Sequence, residues 1–161
     1  SWNGTEFERM GSAVKTFAAL SFVMPGMPLI YSGQEVGFNK RLKFFDKDEI
    51  SWNDSLGLTP FYKKLVDLKR NSSVLAAGEK DADIFRIKSS NDSCVFAFTR
   101  TNETEKLFAI FNLTANEQKI SFEGDEYIDS YADFMTSETR LFTKGEEISL
   151  KPWEFFIYVK K

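Results

Sequence analysis

The chain has 161 residues, of which 42% are hydrophobic, 16% aromatic and 28% charged, so it is long enough to bury a core and is not typical of a disordered segment. Its net charge of −3 argues against a broad nucleic-acid-binding surface. The lack of histidine excludes serine–histidine, cysteine–histidine and histidine–metal chemistry from this chain, and the single cysteine excludes an intrachain disulfide. No apolar run reaches the ~18 residues of a membrane helix, so we expect neither a nucleic acid nor a membrane as a partner.

Composition also predicts how the chain is organised. It begins with serine rather than methionine and has no secretory leader pattern, so we expect a piece of a longer protein. Residues 1–75 hold 10 basic and 8 acidic side chains, whereas residues 76–161 hold 11 and 16. This change in charge coincides with a change to alternating hydrophobic patterning, and together they predict a boundary near residues 76–81.

The first predicted element is a single helix that begins at Thr5. Thr5 and Glu8 have the spacing of a capping box, in which a side chain and the backbone satisfy each other's free groups at a helix start. Apolar side chains then recur at helical spacing until Pro25, which ends the helix. The short apolar run of residues 28–31 is typical of a strand that is buried on both faces.

A long loop and a second helix complete the first half of the chain. Residues 36–58 are polar and aromatic without a clear period, and loops of this length in compact domains are usually functional or disordered. Thr59 is placed to cap the helix predicted over residues 60–70. Pro60 lies in its first turn, where the missing N–H of proline costs nothing.

The second half predicts an antiparallel β-sandwich. Short runs alternate apolar and polar side chains and are separated by glycine, asparagine and aspartate, which favour turns. These runs are residues 84–88, 94–100, 107–113, 119–122, 140–142, 147–150 and 155–159. Several short strands at this spacing are typical of a sandwich. We expect its inward-facing or strand-buried residues to include Phe85, Phe96, Phe98, Phe108, Ile110, Phe156 and Tyr158.

Few side chains by themselves point to chemistry. Glu35 follows the predicted strand, where barrel enzymes place functional side chains, but a lone loop glutamate is more often simply solvated. Residues 46–49 include three acidic side chains, which either bind a cation or belong to an exposed charged loop. Trp2 and Trp52 either stack on sugar rings or pack in the protein. The residues alone therefore indicate a helix–strand–helix unit followed by an all-β domain.

Four runs, taken in order, resemble one family of enzymes. Residues 27–37 read MPLIYSGQEVG, and this run resembles the last barrel strand and following turn of the alpha-amylase family of glycoside hydrolases. Residues 40–52, KRLKFFDKDEISW, are similar to the segment that leads to the family's final barrel helix, and residues 60–70, PFYKKLVDLKR, are similar to that helix. Residues 72–78, SSVLAAG, match the residues after it. The resemblance covers residues 1–78.

The resemblance implies an architecture in two parts. Residues 1–78 would be the last helix–strand–helix of a (β/α)8 barrel. Residues 79–161 would be the antiparallel β-sandwich that the family carries directly after its barrel. The chain as a whole is then expected to be an α+β fragment.

The resemblance also implies a function for the parent protein. The family cleaves α-glucans such as starch and maltooligosaccharides through a carboxylate nucleophile and a carboxylic acid/base, and both lie on strands before the segment that this chain resembles. A third carboxylate belongs to an Asn-His-Asp motif just before the helix that begins here near Thr5, and this sequence has no such triplet. We therefore expect no catalytic residue in this chain, no activity from it alone, and no cofactor or metal.

In a complete barrel, three residues of this chain would follow the C-terminal end of a strand or lie in the loop after one, on the face where barrel enzymes build their active sites. The resemblance predicts that Trp2, Glu35 and Arg41 border the α-glucan, and that the N-terminal portion of the barrel is the chain's partner. A different class of function remains open, in which the segment is a non-catalytic carbohydrate-binding or structural β-domain. A third possibility is a parent protein without a working set of catalytic carboxylates. An exposed cluster of tryptophan or tyrosine on the sandwich would favour carbohydrate binding.

Overall fold

The computed structural model describes residues 3–78 and 82–160. Among these residues the α-helices are α1 (Glu6–Met10), α2 (Val14–Val23) and α3 (Leu58–Asn71). The strands are β1 (Ile84–Ile87), β2 (Val95–Thr101), β3 (Lys106–Asn112), β4 (Gln118–Ile120), β5 (Ser130–Asp133), β6 (Thr139–Leu141), β7 (Ile148–Leu150) and β8 (Phe155–Lys160). Single 3₁₀ turns occupy Gly11–Ala13, Gln34–Val36 and Ser73–Leu75. Over this described part of the chain, no helix is both long enough and apolar enough to cross a membrane.

The strands form one large and one small antiparallel sheet. The large sheet has six strands in the order β1-β2-β3-β8-β5-β6, and the small sheet pairs β4 with β7. The central strand β3 aligns Ala109 with Phe98 of β2 and with Ile157 of β8. The chain is thus a small α+β structure dominated by antiparallel sheet, as the alternating pattern predicted.

Both faces of the large sheet are buried, because successive side chains of a strand point to opposite faces. One face carries Phe98, Phe111 and Ile157 and packs in one core with helices α2 and α3. The other face carries Phe108 and Tyr158 and packs on the small sheet, in a core that also holds the side chains Ile120, Phe122, Phe142, Ile148 and Leu150. The helices therefore cover the face of the large sheet that the small sheet leaves open.

Two features of the sheet differ from the sequence-based expectation. Phe85, expected to be buried, is 52% exposed, because β1 is the edge strand of the large sheet and the Phe85 side chain belongs to neither buried core. Strand β5 was not predicted, since its sequence, Ser-Tyr-Ala-Asp, holds only one large apolar side chain. Tyr131 and Asp133 nevertheless alternate inward along this strand.

The first helix begins as predicted but is not continuous. The hydroxyl of Thr5 accepts a hydrogen bond from the Glu8 N–H at 3.2 Å, and the Glu8 carboxylate accepts one from the Thr5 N–H at 2.9 Å. This is the predicted capping box. Gly11 then adopts a φ of 53°, a left-handed value that favours glycine, and the chain makes a 3₁₀ turn before α2 begins. The predicted single helix is therefore two helices.

The strand predicted over residues 28–31 is absent from the structure. These residues belong to no strand, and the side chains of Leu29 and Tyr31 are 83% and 63% exposed. A parallel strand needs hydrogen-bonding neighbours and covered faces. The described residues provide no such neighbours, so the segment runs without strand pairing.

Helix α3 begins two residues earlier than predicted, and a different side chain binds its first N–H groups. Its first residue is Leu58, whereas the predicted helix begins at Pro60 with Thr59 as its cap. The two carboxylate oxygens of Asp54 accept hydrogen bonds from the N–H groups of Leu58 and Thr59 at 2.7 and 2.9 Å. The Thr59 hydroxyl instead donates to the carbonyl of Glu35 at 3.2 Å, which ties the start of α3 to the turn that follows residues 28–31.

Two buried charged side chains, Arg100 and Glu105, connect the helical part to the sheet through hydrogen bonds. Arg100 of β2 donates from Nε to the carbonyl of Ala82 and from Nη1 to the carbonyl of Val23 at the end of α2, both at 2.9 Å. Glu105, in the turn between β2 and β3, accepts hydrogen bonds from residues 72–74 after α3. Since a buried charge is costly unless it is hydrogen-bonded, these contacts specify how the helices sit on the sheet.

Candidate functional site: a cleft between two loops

A cleft of about 310 Å³ lies between two segments of the helical part. One wall comes from residues 4–10, around the start of α1, and the other from residues 31–42, which follow the segment predicted as a barrel strand. The polar side chains on its walls are Thr5, Glu6, Arg9, Tyr31, Ser32, Gln34, Lys40 and Arg41. Met10, Phe38 and Leu42 supply apolar surface beside them.

A tight turn shapes the second wall. The carbonyl of Gly33 accepts a hydrogen bond from the Phe38 N–H at 2.9 Å, and the Gln34 N–H donates to the carbonyl of Tyr31 at 2.8 Å. Gly33 has a φ of 91°, and a Cβ there would lie 3.0 Å from the side chains of both Phe38 and Ile50. Any side chain at position 33 would therefore be strained and crowded, which explains why glycine follows Ser32.

Side chains of Glu8 and Arg41 connect the two walls. Glu8 Oε2 accepts hydrogen bonds from Arg41 Nε at 3.3 Å and from Arg41 Nη2 at 3.1 Å. The hydrogen bond from the Thr5 backbone and those from Arg41 lower the pKa of the Glu8 carboxyl. The Thr5 hydroxyl also donates to the side-chain carbonyl of Asn39. The start of α1 is thus joined to the loop that begins near residue 39.

The half-buried carboxyl of Glu6 lines the cleft. Burial raises the pKa of Glu6, although a hydrogen bond with the Gln34 side chain opposes the shift. Oε1 of Glu6 has no hydrogen-bond partner within the described residues. Burial, together with the charges of Glu6 and Glu35, also raises the pKa of the Tyr62 hydroxyl. Burial therefore disfavours the charged forms of Glu6 and Tyr62, and the basic side chains Arg9, Lys40 and Arg41 line the same cleft as Glu6.

Asp48 connects residues 40 and 43 within the loop beside the cleft. Asp48 forms an ion pair with Lys40 at 2.5 Å and accepts a hydrogen bond from the Lys43 N–H at 3.1 Å. The hydrogen bond from Lys40, followed by that from Lys43, lowers the pKa of Asp48 to about 2. Asp46 lies 4.0 Å from the Lys43 ammonium. No three cysteine, aspartate or glutamate side chains in the described ranges are grouped closely enough to hold a metal ion.

The structure places the three predicted site residues differently. Arg41 lies on the cleft wall. Glu35 belongs to the segment that forms that wall but is not among the residues that line the cleft, and its carboxylate accepts a hydrogen bond from the Gly33 N–H at 3.0 Å. Trp2 lies outside the described residues. Sequence reasoning missed Asn39 and Gln34, whose contacts join segments far apart in the chain, and it identified Glu8 only as a helix cap.

Comparison with known proteins identifies the family. No family model matches the chain. The oligo-1,6-glucosidase of Bacillus cereus is 31% identical over 109 residues, which cover 63% of this chain and 17% of that protein. The oligo-1,6-glucosidase IMA5 of Saccharomyces cerevisiae is 25% identical over 98% of this chain and 28% of its own length. The chain is part of an alpha-amylase family protein.

The solved structures of alpha-amylase family proteins match in fold. The maltogenic alpha-amylase AmyB from Thermotoga neapolitana superposes with a TM-score of 0.77 over 92% of this chain and 36% of its own, at 12% identity. At this identity the match shows the fold alone, which is that of the C-terminal domain of alpha-amylase family enzymes. The chain thus spans less than a third of the two oligo-1,6-glucosidases it matches.

Proposed function

We propose that the protein containing this chain is a glycoside hydrolase that cleaves α-linked glucans with retention of configuration. The observation that carries this proposal is the similarity to an oligo-1,6-glucosidase along 98% of the chain. The cleft supports it, because hydrogen-bonding groups beside apolar surface suit the hydroxyls and ring faces of a sugar. Residues 1–78 would complete the barrel, and residues 79–161 would be the C-terminal β domain.

The catalytic carboxylates are proposed to lie outside this chain. Retaining hydrolysis needs two carboxyl groups about 5–5.5 Å apart on either side of the bond that breaks. The acidic residues nearest the cleft make contacts within this chain: Glu8 binds Arg41, Glu35 accepts from the Gly33 N–H, and half-buried Glu6 shares a hydrogen bond with the Gln34 side chain. This chain would therefore shape one side of the sugar cleft without performing the bond-breaking step.

The sugar contacts are proposed from both geometry and resemblance. Arg41 lies on the cleft wall with its guanidinium beside Glu8, where it can reach sugar hydroxyls. Trp2 is proposed from the resemblance to offer a ring face for stacking. Glu35 is proposed to border the sugar through its position in the turn next to Gln34.

The β domain is proposed to be structural rather than carbohydrate-binding. A sugar-binding sheet face needs exposed aromatic rings, but Phe98, Phe108, Phe111 and Tyr158 are all buried. Of the aromatic side chains on the described strands, only Phe85 is largely exposed to solvent. A single edge-strand ring is a poor platform for a polysaccharide.

The first test compares the isolated chain with the protein that contains it. We expect the purified 161-residue chain to release no reducing sugar from soluble starch, because small misplacements of catalytic groups cost orders of magnitude in rate and this chain would lack the groups altogether. The longer protein should release reducing sugar in the same assay. Turnover by the isolated chain that is abolished by Glu35→Gln would contradict both the fragment interpretation and the non-catalytic role of Glu35.

A second test concerns the partner of the exposed segment before the cleft. Met27, Leu29 and Tyr31 are among the most exposed apolar side chains of the structure, and we propose that the preceding part of the barrel covers them. Hydrogen exchange at the amides of residues 29–31 is then expected to be fast in the isolated chain and slow in the longer protein, because a barrel strand is hydrogen-bonded on both sides. Amides of the central strand β3 should be protected in both and serve as the control. Slow exchange at residues 29–31 in a monomeric isolated chain would contradict the proposal.

A further inference from the structure

We infer that Glu8 is a positioning residue of the cleft, which holds residues 3–5 against the opposite loop through Arg41. This inference rests on the proposed function, since it assigns Glu8 a part in shaping the sugar cleft. Glu8 would act through Arg41 and the backbone rather than by touching the sugar. We call the contact between these two side chains the Glu8–Arg41 bridge.

The bridge concentrates several hydrogen bonds on one oxygen. Glu8 Oε2 accepts from the Thr5 N–H at 2.9 Å, from Arg41 Nη2 at 3.1 Å and from Arg41 Nε at 3.3 Å. The two residues are 33 positions apart, so this contact closes a long loop between the two cleft walls. The hydrogen bond from the Thr5 hydroxyl to Asn39 runs alongside it, so the start of α1 is held to the opposite loop at two points.

The backbone at Gly4 shows how closely the bridge is packed. Gly4 is buried and has a φ of 107°, a conformation that side chains rarely adopt. A Cβ at this position would lie 2.8 Å from Glu8 Oε2 and 3.4 Å from Arg41 Nη2. The bridge therefore rests directly on the backbone of Gly4, and it sets the path of the chain as it enters α1 from residue 3.

The bridge is better suited to positioning than to stabilising the fold. Both side chains are 54% exposed, and an ion pair this exposed contributes little to folding. Loss of the bridge is thus expected to leave the protein folded while releasing the backbone at residues 3–5. In an active site, a displacement of about 1 Å can lower a rate by about 100-fold. A large loss of activity without a loss of stability is the signature of such a residue.

The test compares Glu8→Gln, Arg41→Gln and the double variant in the longer protein. The control is Asp46→Asn, which removes another exposed ion pair, that with Lys43. With a maltooligosaccharide as substrate, we expect each single variant to lower kcat by about 10- to 100-fold and the melting temperature to stay near that of the wild type. The loss in the double variant should be smaller than the product of the two single losses, since both variants weaken the same contact. The control should keep the wild-type kcat.

A second measurement makes the result independent of activity. Hydrogen exchange at the amides of residues 4–6 should accelerate in both single variants, and the double variant should show no further acceleration beyond that of Glu8→Gln. An inactive wild type would disprove the proposed function, while this exchange result would still decide the role of the bridge. The inference is overturned by additive losses in the double variant, by a change in KM alone on replacing Arg41, or by unchanged exchange in Glu8→Gln.

Discussion

Replacement of Phe108 by alanine is expected to lower the free energy of unfolding by about 3–5 kcal/mol, the usual range for truncating a buried phenylalanine. Phe108 is completely buried in the core between the two sheets. Its ring lies 5.2 Å from that of Phe142, 5.5 Å from that of Phe122 and 5.9 Å from that of Tyr127, measured between ring centroids. These rings come from different parts of the β domain, so they have little freedom to fill the cavity together.

The measurement is urea unfolding of the chain followed by tryptophan fluorescence and circular dichroism. The matched control is Phe45→Ala, because Phe45 is 88% exposed on the loop beside the cleft. We expect the control to change stability by less than about 0.5 kcal/mol. Equal unfolding midpoints for the two variants would show that the core between the sheets is not packed as described.

The sheet was predictable because its pattern is local and repeated. In β3 and β8, successive residues alternate between two buried faces, so apolar side chains run almost without interruption and the strands are evident from sequence. Strand β5 escaped prediction because its position depends on hydrogen bonds to β8 and β6 rather than on its own composition. The prediction for residues 28–31 was wrong for the opposite reason. Their composition favours a strand, but the described residues provide no neighbouring strand to pair with them.

The cleft was predictable only in part, for a related reason. The capping box marks Glu8 as a helix cap from a spacing of three residues, and the structure confirms that cap. The second partner of Glu8 is 33 residues away, in a loop without periodicity, so no local pattern indicates it. Arg41 was selected through the family resemblance, which places it near the cleft but does not reveal the carboxylate that holds it.

Replacement of Glu105 by alanine is expected to lower the free energy of unfolding by about 2–4 kcal/mol, because it leaves several buried donors without an acceptor. Glu105 is only 6% exposed. Its Oε2 accepts hydrogen bonds from the Ser72 hydroxyl at 3.1 Å, from the Ser73 N–H at 2.5 Å and from the Val74 N–H at 3.3 Å. These donors belong to the segment that leads from α3 towards the first strand.

Glu103→Ala is the matched control for this prediction. Glu103 lies in the same turn between β2 and β3 but is exposed, so its removal should change stability by less than about 0.5 kcal/mol. Glu105→Gln keeps an acceptor oxygen but loses the charge, so its effect should lie between those of the two alanine variants. Urea unfolding of the three variants would measure this order.

Because Glu105 joins the turn of the sheet to the end of α3, its loss should also accelerate hydrogen exchange at residues 73–75 before the sheet itself opens. Unchanged exchange there, together with wild-type stability in Glu105→Ala, would show that the helices are held on the sheet by the apolar core alone.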